Sequence, residues 1–265
     1  MQRAADFEVQ ANMLTLFVTF ESAPPASAGA ATGTTAFDAA SRVALIEQLR
    51  RMPGLAQGVL GTPADGLDTP FKADRPLPLL TLQLYFESVQ ALEGALGRGG
   101  ALHAMAHSPG AWPALAHAAV THQAMIARPF AVPASQGKAG WGTDPGAPAC
   151  GLLVHYPGPA QDTNAWLRHY LQHHTPLLAK FSGIRDVEVC TRIDWCDDAP
   201  AWRRVDHMQR NRVVFDSGEA LVAALKSPLL DELRADSRAL PPFAGGSRHY
   251  AMWLWRFEGT DARSR

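Results

Sequence analysis

The sequence offers little to metal, redox or nucleotide chemistry. It has 3 cysteines in 265 residues, and Cys150, Cys190 and Cys196 form no CxxC pair. They read as reduced thiols of a cytoplasmic protein rather than as a disulfide or metal set. No HExxH, GxSxG or GxxxxGKS/T segment occurs. Gly97-Arg98-Gly99-Gly100 lies in or after a helix with no strand before it, so it is no dinucleotide loop. These absences argue against nucleotide cofactors and Ser-His-Asp catalysis, and the expected cofactor content is none. A formal net charge of −1 leaves no electrostatic footprint for nucleic acid or an anionic membrane. Apolar runs are strand-length, too short to span a bilayer as a helix. The opening MQRAADFEVQ has no basic segment followed by an apolar one, so no secretion signal is read there.

What is present is a chain long enough for two domains, with a normal hydrophobic content of 47%. One order of elements occurs twice. A strand at 14–20 (LTLFVTF) follows a polar lead-in over 1–12, and the loop SAPPASAGAATGTT comes next. A helix over about 38–52 stops at Pro53-Gly54-Leu55; strands follow near 56–62 and 79–86, a helix over 88–106 and a strand near 120–131. From GLLVHY at 151–156 the pattern recurs, with helices over 163–181 and 217–236 and strands near 185–194, 206–216 and 249–258. Each half is β-α-β-β-α-β, the ferredoxin-like arrangement. The expected organisation is an N-terminal scaffold unit over 13–131, a linker over 132–148 and a second unit over 149–258.

Self-comparison supports a duplication. An offset of 129 residues pairs Gly54 with Gly183, Phe86 with Phe215 and Ser88 with Ser217. Near the last strands an offset of 127 pairs His122 with His249 and Phe130 with Phe257. The apolar faces left bare by two such units are expected to bury against each other.

The most informative segment is the first helix of the second unit. Leu167, Leu171, His174, Leu178 and Phe181 form one helical stripe, which puts His174 on the face toward the sheet. Pro176 removes an N–H, so the helix should kink or break near Gln172. A buried histidine is often no more than a satisfied core residue. Here, however, the first unit has Leu45 at the same offset, so the fold does not demand an imidazole.

In this segment Tyr170-Leu171-x-x-His174-x-Pro176-Leu177 is followed by Ser182-Gly183-Ile184 and Val187-Glu188-Val189. It resembles the EthD pattern of a YxxxHxPL helix, a P-G-L/I/V turn and a strand, with Ser182 where proline is usual. The resemblance covers about 150–257, and the first unit lacks the motif. It implies a dimeric α/β barrel, here formed as a pseudo-dimer within one chain, with a homodimer of such chains left open. Proteins of this type include polyketide cyclases, muconolactone isomerase-like enzymes, anthraquinone-type decarboxylases, cofactor-free monooxygenases and EthD, which accompanies an ether-degrading system.

The resulting expectation is a protein that binds a small hydrophobic or aromatic metabolite between helix and sheet of the second unit. As an enzyme it would be a cofactor-independent lyase, isomerase or monooxygenase, with His174 and His155 as the catalytic pair and Tyr170 and Arg212 as ligand-binding residues. The other expectation is a noncatalytic carrier or accessory protein of an oxidative degradation pathway. His169 and His173 read as a solvated helix face, and His249, twinned with His122, as a structural strand residue.

Overall fold

The computed structural model describes residues 13–22, 37–71, 77–108, 112–133, 141–198 and 201–260. The polar lead-in, most of the first loop and the middle of the connection between units fall outside the described residues.

Strand β1 (Met13–Glu21) is followed by α1 (Ala39–Arg50), β2 (Leu55–Pro63), β3 (Leu80–Phe86), α2 (Val89–Leu96), α3 (Ala101–Ala106) and β4 (Ala119–Phe130). The second unit has β5 (Ala149–Tyr156), α4 (Thr163–His169), a π-helical turn (Tyr170–His174), α5 (Thr175–Leu178) and β6 (Ile184–Arg192). It continues with a short β7 (Arg203–Arg204), β8 (Gln209–Phe215), α6 (Gly218–Leu225), α7 (Leu229–Ala239) and β9 (Arg248–Glu258). The two helices expected over 88–106 and 217–236 are each split in two, the first at Gly97–Gly100 and the second before Pro228. Glycine and proline break the helical hydrogen-bond ladder at those points.

Local chemistry repeats between the units. Ser88 and Ser217 both cap a helix, accepting the backbone N–H of Ala91 at 3.1 Å and of Ala220 at 3.2 Å. Gly54 and Gly183 both leave a helical turn with φ of 72° and 78°, the left-handed region where a side chain would be strained.

Each unit is a four-stranded antiparallel sheet, ordered β4-β1-β3-β2 and β9-β5-β8-β6. Two seams join them: β2 pairs antiparallel with β9, and β4 with β6. Eight strands therefore close into one barrel, two ferredoxin-like units packed as a pseudo-dimer, with β7 added beside β4. Closure removes the four edges that two separate sheets would expose. No helix among the described residues is long and apolar enough to cross a membrane.

Strand alternation now sorts every side chain into a helix-facing or an interior position. In the first unit Leu16, Val18, Leu82 and Leu84 meet Leu45 and Leu49 of α1 in one cluster. In the second, Leu152, Val154, Val187 and Val213 meet Trp166, Leu178 and Phe181. Removing one such buried leucine costs about 2–5 kcal/mol. The barrel interior departs from the apolar interface expected for the inner faces. Phe17, Met125, Leu153 and Met252 are there, but so are buried Gln83, Gln123, His155, Glu188, Arg210 and Arg212.

Arg212 is the best-compensated of these charges. Its guanidinium donates to Asp186 Oδ2 at 2.8 Å, to the Tyr85 hydroxyl at 2.9 Å and to Gln83 Oε1, and Glu188 lies 3.7 Å away. The Tyr85 hydroxyl in turn donates to Glu188 at 2.8 Å. The described end of the connection closes over this network. Trp141 is buried against Arg212 and Arg256, and Gly142 O accepts the Arg256 N–H at 2.7 Å. The network ties β3 of one unit to β6 and β8 of the other. Arg212→Ala should cost about 3–5 kcal/mol in urea unfolding, because Asp186 and Glu188 lose their buried counter-charge. A loss under about 1 kcal/mol, typical of an exposed pair, would contradict this description.

Candidate functional site

The helix expected over 163–181 runs as α4, the π-helical turn and α5. Asp162 caps its start, accepting the Ala165 N–H at 2.9 Å. The disruption expected near Pro176 takes the form of this π-helical turn, and the helix continues past it as α5. Tyr170 O is bonded by the Thr175 N–H, one residue later than an α-helix would allow, and accepts the Thr175 hydroxyl at 3.0 Å. This wider turn carries His174 at its end, on the side facing the sheet.

Across from it, α7 supplies Asp236. His174 Nδ1 donates to Asp236 Oδ2 at 2.8 Å, and His169 Nε2 donates to Asp236 Oδ1 at 2.9 Å. A carboxylate only accepts, so both imidazoles must present N–H to it. The neutral His174 tautomer is thereby fixed with its lone pair on Nε2. Burial lowers the pKa of His174; the hydrogen bond and charge of Asp236 oppose that without reversing it. The imidazole is therefore predominantly neutral at pH 7.

His174 borders a cavity of about 340 Å³ between the helices and the β5–β8–β9 face. Leu152, Val154, Leu178, Phe181 and Phe243 give it an apolar wall, and Asn211 and His249 add polar atoms. Asn211 Nδ2 donates to the Tyr170 hydroxyl at 2.6 Å, while its Oδ1 has no partner among the described residues. Arg234, Ser237 and Arg238 of α7 stand at the exposed mouth. One wall comes from the other unit: Phe71 stacks on His249 at 3.9 Å between ring centroids, with planes 2° apart. Burial lowers the His249 pKa to about 4, so it too is neutral. A larger hollow of about 410 Å³ lies beside α1 and is lined by Arg42, Glu47, Arg50 and Trp255, with no histidine. Among the described residues no group of three or more His, Cys, Asp or Glu is arranged to hold a metal ion.

The four residues singled out from the sequence therefore separate. His174 borders the cavity. Tyr170 sits behind it, fully buried, stacked on Trp166 and bonded to Asn211; it supports the wall instead of lining it. His155 and Arg212 lie on the opposite face of their strands, inside the barrel, and a sheet separates both from His174. His155 packs against His207 and Tyr250 there. Arg212 borders a different hollow of about 210 Å³, with its charge already taken up by Asp186 and Glu188. Pairing His155 or Arg212 with His174 is thus corrected by strand parity. His169 is not a solvated bystander, since it shares Asp236. His249 lines the cavity, whereas its twin His122 meets Asp197 at 3.1 Å. Asp236, His249 and Phe71 are the site residues that sequence reasoning missed. Asp236 lay at the end of an expected helix with no motif around it, and Phe71 lies in the other unit.

No protein-family model matches the chain, and no curated protein matches it significantly. Solved structures do. An anthrone oxidase-like protein aligns over 96% of this chain and 96% of its own, at 14% identity and a TM-score of 0.60. A protein of Fusobacterium nucleatum, provisionally assigned as a monooxygenase, aligns over 95% and 96% at 8% identity and a TM-score of 0.54. An EthD family protein of Bacillus halodurans aligns over 42% of this chain and 97% of its own, at 21% identity and a TM-score of 0.29. At these identities the likeness concerns the fold. The chain shares the dimeric α/β-barrel fold with the first two of these structures, with both ferredoxin-like units supplied by one polypeptide.

Proposed function

We propose that this protein binds a small hydrophobic or aromatic metabolite in the second unit's cavity and moves a proton on it with His174. The observation that carries this reading is the 2.8 Å bond from His174 Nδ1 to Asp236 at the wall of an apolar cavity of about 340 Å³. A neutral imidazole with Nδ1 anchored is a base at Nε2. Asp236 fixes its orientation and stabilises the imidazolium once the proton is taken. The low-dielectric wall suits an enolisable or phenolic substrate, whose anion would form only as the proton leaves. In this role the protein is a cofactor-independent lyase, isomerase or monooxygenase. His249 and Asn211 supply hydrogen bonds that orient the ligand, and Phe71 covers it. The two units, 13–131 and 149–258, divide the labour as scaffold and site.

A carrier is the second reading, favoured by the predominance of leucine, valine and phenylalanine around the cavity. His174→Gln distinguishes the two. The full chain would be offered a panel of phenols and hydroxynaphthalenes in air-saturated buffer, with binding read by tryptophan fluorescence and turnover by absorbance and oxygen uptake. The variant should retain affinity and lose about 100- to 10,000-fold in kcat. Unchanged turnover would remove the enzymatic reading.

The pH profile adds an independent check. Burial depresses the His174 pKa below 6.5, so the base form persists above that pH and activity falls only as pH drops through the lowered value. Asp236→Asn removes the charge that raises this pKa, so the acid limb should move to still lower pH, along with a fall in kcat. A limb above 6.5, or one unmoved by Asp236→Asn, would contradict the assignment.

A further inference from the structure

Two residues before Arg212 on β8, the barrel interior carries a second buried arginine whose surroundings differ in kind. In the ladder of β9, β5, β8 and β6, Arg248 stands opposite His155, His155 opposite Arg210, and Arg210 opposite Cys190. Residues directly opposite in antiparallel strands share a face, so these four form one rung across the interior. The rung holds two arginines and a histidine, and no carboxylate. Two residues along β8, the equivalent position is Arg212, with Glu188 opposite it and Asp186 in contact.

Arg210 is 2% exposed, and among the described residues nothing accepts from its Nε or Nη1. Its guanidinium lies over the Phe17 ring, 4.7 Å from the centroid, a contact too weak to offset the desolvation of a full charge. His155 is buried beside it, 5.4 Å from His207 and 5.1 Å from Tyr250 between ring centroids. The His207 backbone is held by Gln123, whose amide donates to His207 O at 2.9 Å and accepts the His207 N–H at 3.1 Å. His207 Nδ1 is buried and unpartnered among the described residues. The groups acting on this cluster are Arg203, Arg210 and Arg248, with Glu21 as the opposing carboxylate. Burial, reinforced by this excess of positive charge, holds both histidines neutral, with His207 lowered to about 3.

A buried guanidinium destabilises a fold unless an opposite charge joins it. Arg212 has two carboxylates in contact, whereas Glu21 acts on Arg210 only from a distance and, among the described residues, none forms an ion pair with it. We propose that this rung is a binding site for a small oxyanion, of the phosphate or carboxylate class, held by Arg210 with the less deeply buried Arg248 and His207 beside it. The site is separate from the His174 cavity, since the two lie on opposite faces of β5 and β8, and it does not depend on the function proposed for that cavity.

The test is thermal unfolding of the full chain in sodium phosphate, in sodium acetate and in sodium chloride at matched ionic strength. Wild type should gain roughly 5 °C at a hundredfold excess of phosphate or acetate over its dissociation constant, with saturation, and should gain nothing comparable in chloride. Which of the two oxyanions acts at the lower concentration identifies the preferred class. Arg210→Met should bind at least about tenfold more weakly, as expected for loss of charge-assisted hydrogen bonds. A wild type indifferent to both oxyanions, or an Arg210→Met variant that responds like wild type, would overturn the proposal. If Arg210→Met does not fold, Arg248→Gln decides by calorimetric titration with phosphate. Affinity lowered about threefold supports the site, and unchanged affinity overturns it.

Discussion

Everything in this structure depends on the two seams, β2 with β9 and β4 with β6, that close two four-stranded sheets into one barrel. An open sheet with helices on one side has one dry face. Closure makes the second face dry as well, and strand parity then decides which of two interiors a side chain enters. Adjacent residues of β8 illustrate the consequence: Asn211 faces the helices and the cavity, while Arg210 and Arg212 face the barrel. Charges that would be unremarkable on a solvated sheet must find partners inside. Arg212 does so with Asp186, Glu188, Tyr85 and Gln83 drawn from both units.

On this shared frame the units have different contents. Leu45 in α1 is a wholly buried core residue, whereas His174 at the matching offset faces a cavity. The change involves more than one substitution. A π-helical turn widens the helix before His174, Asp236 on α7 secures its Nδ1, and a stretch after β2 crosses the seam to bring Phe71 onto His249. The first unit thus contributes one aromatic wall to a site otherwise built by the second.

Much of this was legible in the sequence, for identifiable reasons. Alternating strands, serine caps and Gly54/Gly183 exits are local signals, and they gave the order of elements to within a few residues. The stripe through Leu171, His174 and Leu178 oriented the histidine correctly because helical periodicity depends on the local sequence. The pairing of His155 with His174 failed because side chains alternate along β5, so that Leu152 and Val154 face the helices while His155 faces the barrel. What was missing was that the opposite face is an enclosed polar interior, a result of long-range strand pairing. Asp236 and Phe71 were out of reach for the same reason: they lie 62 residues after His174 and in the other unit, and no local pattern marks them.

The claim that the second unit's helix–sheet cavity is the working site can be measured directly by nitrogen-resolved NMR of the imidazoles during titration with a phenol. Free His174 should be the neutral tautomer protonated at Nδ1, and its Nε2 resonance should shift with ligand while that of His155, inside the barrel, does not respond. Ligand-dependent shifts at His155 with His174 unchanged, or a His174 protonated at both nitrogens at pH 7, would contradict it.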